Sequence, residues 1–231
     1  AWAGLAAQPG VLRLLVAVVL GTLAFNMQDV LLEPYGGEIL GLSVAATTTL
    51  TAVWALGALC GFLVAARAHS RGLDPFRSAA RGLLAGIAAF SAVIFAGALD
   101  WAPLFYAGAW AIGFGGGIFG VTMLTAAMGL PGQSQTGAGL VLGAFGAAQA
   151  TAAGLSVFLG GSLRDGIQHL ASAGWFGAIG SNELGYTFVY HVEIGLIFAT
   201  LVALGPLVRL TRYDPKTPQT GPGLTLTEIP T

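Results

Sequence analysis

The chain has 231 residues, of which 55% are hydrophobic and only 8% charged, with a mean hydropathy of +0.80 and a formal net charge of −1. Soluble domains carry about 25% charged residues, so the composition excludes an ordinary soluble fold, and the lack of a basic surplus excludes a nucleic-acid surface. The single Cys60 allows no internal disulfide framework and belongs to no metal-ligand cluster.

Six apolar stretches follow in chain order, at about 11–32, 43–66, 82–99, 102–128, 138–161 and 186–208. Each is near the roughly 20 residues that a bilayer crossing needs. The expected fold is an all-α membrane protein: a six-helix transmembrane domain over 1–210, no sheet, and a flexible cytoplasmic tail over 211–231, rich in Pro, Thr and Gly. The third stretch is short and should extend toward Arg81, and the fourth is long enough to tilt or bend. The sequence opens at Ala1 without an initiator Met, a charged leader or a cleavage site. It therefore reads as a piece of a longer chain with no signal peptide.

Charge sets the direction of insertion. With the start of the first stretch in the cytoplasm, that side holds Arg13, Arg67, Arg71, Arg77, Arg81, Arg209, Arg212 and Lys216, and the other side only Arg164. This asymmetry is a strong positive-inside signal and puts both termini in the cytoplasm. The outer loops carry Glu33, Glu38, Asp100, Asp165 and Glu183, and Tyr35, Trp101, Trp175 and Tyr186 are expected at the outer interface.

The first stretch ends in Gln28-Asp29-Val-Leu-Leu-Glu33-Pro34-Tyr35-Gly36-Gly37. Asp29 and Glu33 are four apart and share a helix face. Pro34 and Gly36-Gly37 are expected to stop the helix and turn the chain. Ionisable groups at membrane depth are costly unless solvated, paired or used. The two acids are thus either a water-solvated helix end or a polar patch that lines a cavity or grips a partner.

Gly57 and Gly61 are four apart, as are Gly113 and Gly117, Gly116 and Gly120, and Gly139 and Gly143. That spacing lets helix backbones approach closely in lipid. The run Gly113 to Gly120 holds five glycines in eight residues, and it could equally be a flexible segment or a smooth wall for a flat ligand. In the fifth stretch, Gln149 reads first as a bond between helices. The long outer loop 162–185 begins with Arg164 and reads as a short interfacial helix through Leu163, Ile167 and Leu170, followed by Trp175-Phe176 at head-group level.

In the sixth stretch, Glu193 lies sixteen residues before Arg209, and Asp29 lies sixteen beyond Arg13. Both are then about 24 Å from the basic edge and at similar heights. Glu193 reads as a buried hydrogen bond to a neighbouring helix. His191 reads as an interfacial histidine, with ligation of a chlorin magnesium as the functional alternative. No enzyme constellation is present: Ser134 is not in a nucleophile elbow, and His69, His169 and His191 lie on three different segments. The Gly-rich run follows no strand, so a dinucleotide fingerprint does not apply. The protein is expected not to be an enzyme.

The segment Gln28 to Gly37 resembles the signature of the PucC/LhaA family of light-harvesting complex assembly proteins, the bacteriochlorophyll-delivery branch of the major facilitator superfamily. The likeness continues through Gly139 to Gly154, including Gln149, through Gly160-Gly-Ser-Leu-Arg164-Asp165 and Gly185-Tyr-Thr-Phe-Val-Tyr190-His191-Val-Glu193, and closes with Leu204-Gly-Pro-Leu-Val-Arg209. It covers nearly all of 11–210. The family has twelve spans, so the resemblance implies a carboxy-terminal half whose partner is an amino-terminal six-helix half. It implies spans 1 and 4 along a central cavity and spans 3 and 6 on the outer face, where Tyr190, His191 and Glu193 would meet lipid, antenna or pigment. Glu193 would then be satisfied by Arg164, by a partner or by a pigment group.

The implied function is assembly of light-harvesting antenna in a bacterial inner, photosynthetic intracytoplasmic membrane. Bacteriochlorophyll is the implied ligand, carotenoid a second one, and antenna polypeptides around a reaction centre the implied partners. Two other readings stay open: a proton-coupled transporter of a small solute with Asp29 or Glu193 as proton carrier, and a structural subunit of a reaction centre–antenna complex.

Overall fold

The computed structural model describes residues 9–129, 135–176 and 183–210. Expectations for the tail beyond 210 and for Ser134 lie outside them. The described residues contain no strand. Six segments are long and apolar enough to cross a membrane, so the chain is an all-α, six-span, multi-pass membrane protein.

The first span is broken. Helix α1 (Pro9–Asn26) passes into a single 3-10 turn (Met27–Val30) and then a short helix α2 (Leu32–Glu38). Pro34 and Gly36-Gly37 do not stop this helix, as the sequence suggests; they lie inside α2. The break falls upstream for a steric reason. Proline has no N–H and its ring clashes with the carbonyl four residues earlier, so an unbroken helix through Val30 is disfavoured, whereas the first turn of a new helix tolerates it. The chain then turns at Gly41, whose φ of +61° suits glycine.

Helix α3 (Val44–Ser70) starts at Ser43, whose Oγ accepts from the Ala46 amide. Helix α4 (Pro75–Ala98) starts at Asp74, whose carboxylate accepts from the Arg77 amide, with Pro75 in the first turn. The third span thus begins seven residues before position 82, since the capped, arginine-bearing first turns are helical too. Helix α5 (Ala102–Met128) follows a tight turn at Leu99–Trp101. Helix α6 (Gln135–Ser172) is a single helix of 38 residues, about 57 Å long. The separate interfacial helix expected after residue 162 is therefore the end of the fifth span, projecting beyond the bilayer core. Helix α7 (Leu184–Leu210) closes the bundle.

Glycine sets the helix spacing. A Cβ on Gly113 or Gly117 would stand 2.1 Å from Trp54 O or 2.5 Å from Ala58 O, and one on Gly57 or Gly61 would meet Trp110 O or Phe114 O. These reciprocal pairs pack α3 against α5 in parallel. Gly82 and Gly115 make the equivalent approach between antiparallel α4 and α5. A Cβ on Gly139 or Gly143 would meet nothing within 4 Å, so that pair sets no close helix approach among the described residues.

The core is an aromatic column. Rings of Tyr186, Tyr35, Tyr190, Phe90, Phe25 and Phe119 follow one another with centroid separations of 5.3, 5.5, 6.2, 6.3 and 5.9 Å. They come from α7, α2, α7, α4, α1 and α5. Each such pair contributes about 0.5–1.5 kcal/mol beyond its buried area. Tyr35 and Tyr186 are buried within the bundle, while Trp101 and Trp175 are exposed.

Candidate functional site

A cleft runs along the face between α1 and α3, with α5 as its floor. Its deeper part, about 240 Å³, is lined by Gly21, Phe25, Asn26, Trp54, Phe62 and Gly113, with Gly116, Gly117, Gly120 and Gln149 completing the floor and one wall. Its outer part, about 210 Å³, is lined by Gln28, Asp29, Leu32, Glu33, Thr51 and Trp54. Trp54 borders both parts.

The dense glycine run explains the shape of the floor. Gly113 and Gly117 face α3 and Gly115 faces α4, while a Cβ on Gly120 would meet nothing within 4 Å. On Gly116 its nearest neighbours would be atoms of Phe25, at 3.4 Å or more. One glycine row thus serves packing, and Gly116 and Gly120 leave a flat, side-chain-free strip. The packing reading of this run holds for Gly113, Gly115 and Gly117, while Gly116 and Gly120 lie on another face of the helix, beside the cleft.

The break in the first span positions the polar end. Gln28 is buried, and its Nε2 donates to Phe25 O and to Asp29 Oδ1. Asp29 and Glu33 both line the outer part, and Glu33 accepts from Thr51 Oγ1 of α3. Pro34 lies in α2 between them and Tyr35. Tyr35 donates its phenolic O–H to Glu183 Oε1 at 2.9 Å. Gly36 lets α2 lie against Phe105 and Leu50, whereas a Cβ on Gly37 would meet only Leu42 O, at 4.0 Å.

Arg164 is tied to the outer end of the bundle, away from Glu193. It donates to Glu38 at 2.6 Å, to Asp165 at 2.8 Å and to the Tyr186 hydroxyl at 2.8 Å, and its guanidinium also lies 4.5 Å from the Tyr186 ring centroid. Arg164 is therefore not the partner of Glu193.

Glu193 faces inward, contrary to the outer-face expectation. It is completely buried, and neither carboxylate oxygen has a hydrogen-bond partner among the described residues. The 3-10 turn packs against α7, so the Gln28 backbone N–H faces Glu193, outside hydrogen-bond geometry, and Asp29 is its acidic neighbour. Tyr190 is also turned inward, fully buried, with its hydroxyl unpartnered. The reason is rotational: Tyr186, Tyr190, Glu193 and Ile197 form one helical stripe that the aromatic column pulls into the core. His191 lies on the opposite side, exposed, and donates Nδ1–H to Thr187 O at 2.7 Å. In the neutral imidazole this leaves Nε2 as the acceptor.

The cleft-lining residues Asn26, Thr51, Trp54 and Phe62 were not singled out by sequence reasoning as site residues. Trp54 carried one usable signal: an indole inside a span is misplaced, because tryptophan prefers the interfaces. No group of three or more His, Cys, Asp or Glu that could hold a metal ion occurs among the described residues.

Fold and site together define a polytopic six-helix membrane protein with a lateral, glycine-floored cleft. The PUCC protein family model matches residues 1–212, and the chain belongs to that family. It is 55% identical, over all of its length and 48% of the relative's, to an uncharacterized protein in the puhA-bchM intergenic region of Rhodobacter capsulatus. It is 41% identical to Protein PucC of Cereibacter sphaeroides over 90% of this chain and 44% of that one. A Rhodobacter capsulatus protein named bacteriochlorophyll synthase 44.5 kDa chain is 31% identical over 80% of this chain and 44% of its own length. The chain thus spans about half the length of the curated relatives it matches. No solved structure matches it.

Proposed function

We propose that this chain is the ligand-holding half of a light-harvesting assembly factor, which binds bacteriochlorophyll, with carotenoid as a second ligand, and passes it to antenna polypeptides. The carrying observation is the cleft: an apolar wall of Phe25, Trp54, Phe62 and Phe119 beside the bare strip at Gly116 and Gly120, with carboxylates at one end only. A flat macrocycle needs apolar faces, small residues to lie against and polar groups at one edge. The residues present fit such a group: Asn26 and Gln149 offer carboxamide oxygens beside the strip, and Asp29 and Glu33 offer acceptors at the outer end. When bound, the pigment supplies light absorption.

The cleft is open along one side, which suits closure by a second six-helix half, in the manner of a major-facilitator-type fold. His191 suits a second contact, because a histidine held through Nδ1–H to a carbonyl presents Nε2 as a ready ligand. Relatives named Protein PucC and bacteriochlorophyll synthase 44.5 kDa chain support placement in a photosynthetic membrane; a position beside antenna and reaction centre is part of the proposed role.

The test is the absorption spectrum of the protein purified from its native membrane, together with its co-purifying chains. Bound bacteriochlorophyll and substoichiometric antenna polypeptides are expected. Pigment-free protein that carries no antenna polypeptide would overturn the reading, and fixed one-to-one stoichiometry with the mature complex would make it a permanent subunit.

A further inference from the structure

A second feature lies behind the cleft, and it stands apart from the pigment reading. Four oxygens are buried without a hydrogen-bond partner around the broken first span: Gln28 Oε1, Tyr190 Oη and both carboxylate oxygens of Glu193. All three side chains are at most 1% exposed. Burying one unpartnered polar group costs about 1–3 kcal/mol on mutational scales, and a buried charge far more. A fold keeps such a group at membrane depth when the group is used.

The setting is specific. The 3-10 turn that interrupts α1 packs against α7, which sets Glu193 beside the Gln28 backbone with Asp29 as its acidic neighbour. Asp29 opens into the outer cleft and is held by Gln28 Nε2. Helix α1 packs against α7 as well, and its one charged residue, Arg13, is exposed near the opposite end of that helix. The 3-10 turn brings Asp29, α2 brings Tyr35, and α7 itself brings Tyr190, whose ring meets that of Tyr35. Helix α4 brings Gly86 and Phe90, its arginines lying at the far end, and Arg164 of α6 is occupied by Glu38, Asp165 and Tyr186. No cation among the described residues reaches Glu193.

We propose that Glu193 is a proton-binding site inside the bundle, loaded and unloaded from the outer cleft by way of Asp29. The transfer moves one proton and breaks no other bond. Asp29 gives up its proton and becomes the carboxylate, and Glu193 takes one up and becomes the neutral acid, with Tyr190 Oη and Gln28 Oε1 as the polar groups around it. The return step reverses this. The neutral form relieves the cost of an unpaired buried charge. The break in the first span supplies the opening, because the 3-10 turn exposes backbone polar groups that a continuous helix would satisfy internally.

The test is infrared spectroscopy of the wild-type protein in lipid at neutral pH, with glutamate supplied as the carboxyl-13C form. The expected result is a protonated-carboxyl C=O band that shifts on glutamate labelling, since Glu33, Glu38 and Glu183 face polar partners or the surface. Loss of the band in Glu193→Gln assigns it, and the isotope shift in the wild type stands even if that variant does not fold. Asp29→Asn should retain the band and slow its hydrogen–deuterium exchange by about a hundredfold, the lower end of what a positioned proton donor contributes. Absence of a glutamate-sensitive band would overturn the proposal, as would persistence of the band in a folded Glu193→Gln. Unchanged exchange in Asp29→Asn would overturn the route.

Discussion

Gly113 and Gly116 are one helical turn apart on α5 and face different neighbours. A Cβ on Gly113 would strike the Trp54 carbonyl oxygen at 2.1 Å, whereas one on Gly116 would sit 3.4 Å from the Phe25 ring, beside the cleft. Gly113→Ala should therefore destabilise the α3–α5 contact by about 1–3 kcal/mol through overpacking, read as a lower melting temperature in detergent. Gly120→Phe has room for its Cβ and should leave the melting temperature near wild type while lowering co-purified pigment severalfold. Equal pigment in a folded Gly120→Phe protein would remove the strip from the site.

The acid pair separates function from folding. Asp29 and Glu33 lie at the rim, engaged by Gln28 and Thr51. Asp29→Ala and Glu33→Ala should lower assembled antenna far more than they lower the amount of this protein in the membrane. Antenna absorbance and immunoblots of the same membranes give the two numbers. A proportional fall in both would make the pair structural.

Arg164 should act as an outer clasp between α2, α6 and α7. Its Glu38 partner is half-exposed, so Arg164→Ala should cost only about 1 kcal/mol, seen as a modest drop in melting temperature. Arg164→Lys should recover only part of it, because an ammonium cannot reproduce the planar fork that reaches Glu38, Asp165 and Tyr186 together. High salt should shrink the difference between wild type and Arg164→Ala.

Topology is open to a direct check. Ser70 ends α3 beside the arginine-bearing turn, and Ser172 ends α6 at the opposite side of the bundle; both are exposed. In a Cys60→Ala background, Ser70→Cys should react with an impermeant thiol reagent only from the cytoplasmic face, and Ser172→Cys only from the other. Labelling of both from one side would contradict the six-span arrangement.

The amino-acid sequence by itself determined the number of spans and the existence of glycine contacts, and it set the expected direction of insertion. These follow from local, additive properties: length of apolar run, placement of Arg and Lys, and four-residue spacing of small side chains. Tertiary structure decided which way each helix face points. Apolar helices in a membrane carry no polar stripe to mark the solvent side, so nothing local told that Tyr186, Tyr190 and Glu193 turn inward while His191 turns out. The same holds for Gly113 against Gly116. The break ahead of Pro34 was half legible: the proline announced a disruption, but its place at Met27–Val30 depends on the steric reach of the ring four residues back and on α6, whose Gly160 lies against the Met27 carbonyl. Helix rotation is fixed by packing, by the aromatic column and the glycine seams, and packing is a property of pairs of segments that no single segment encodes.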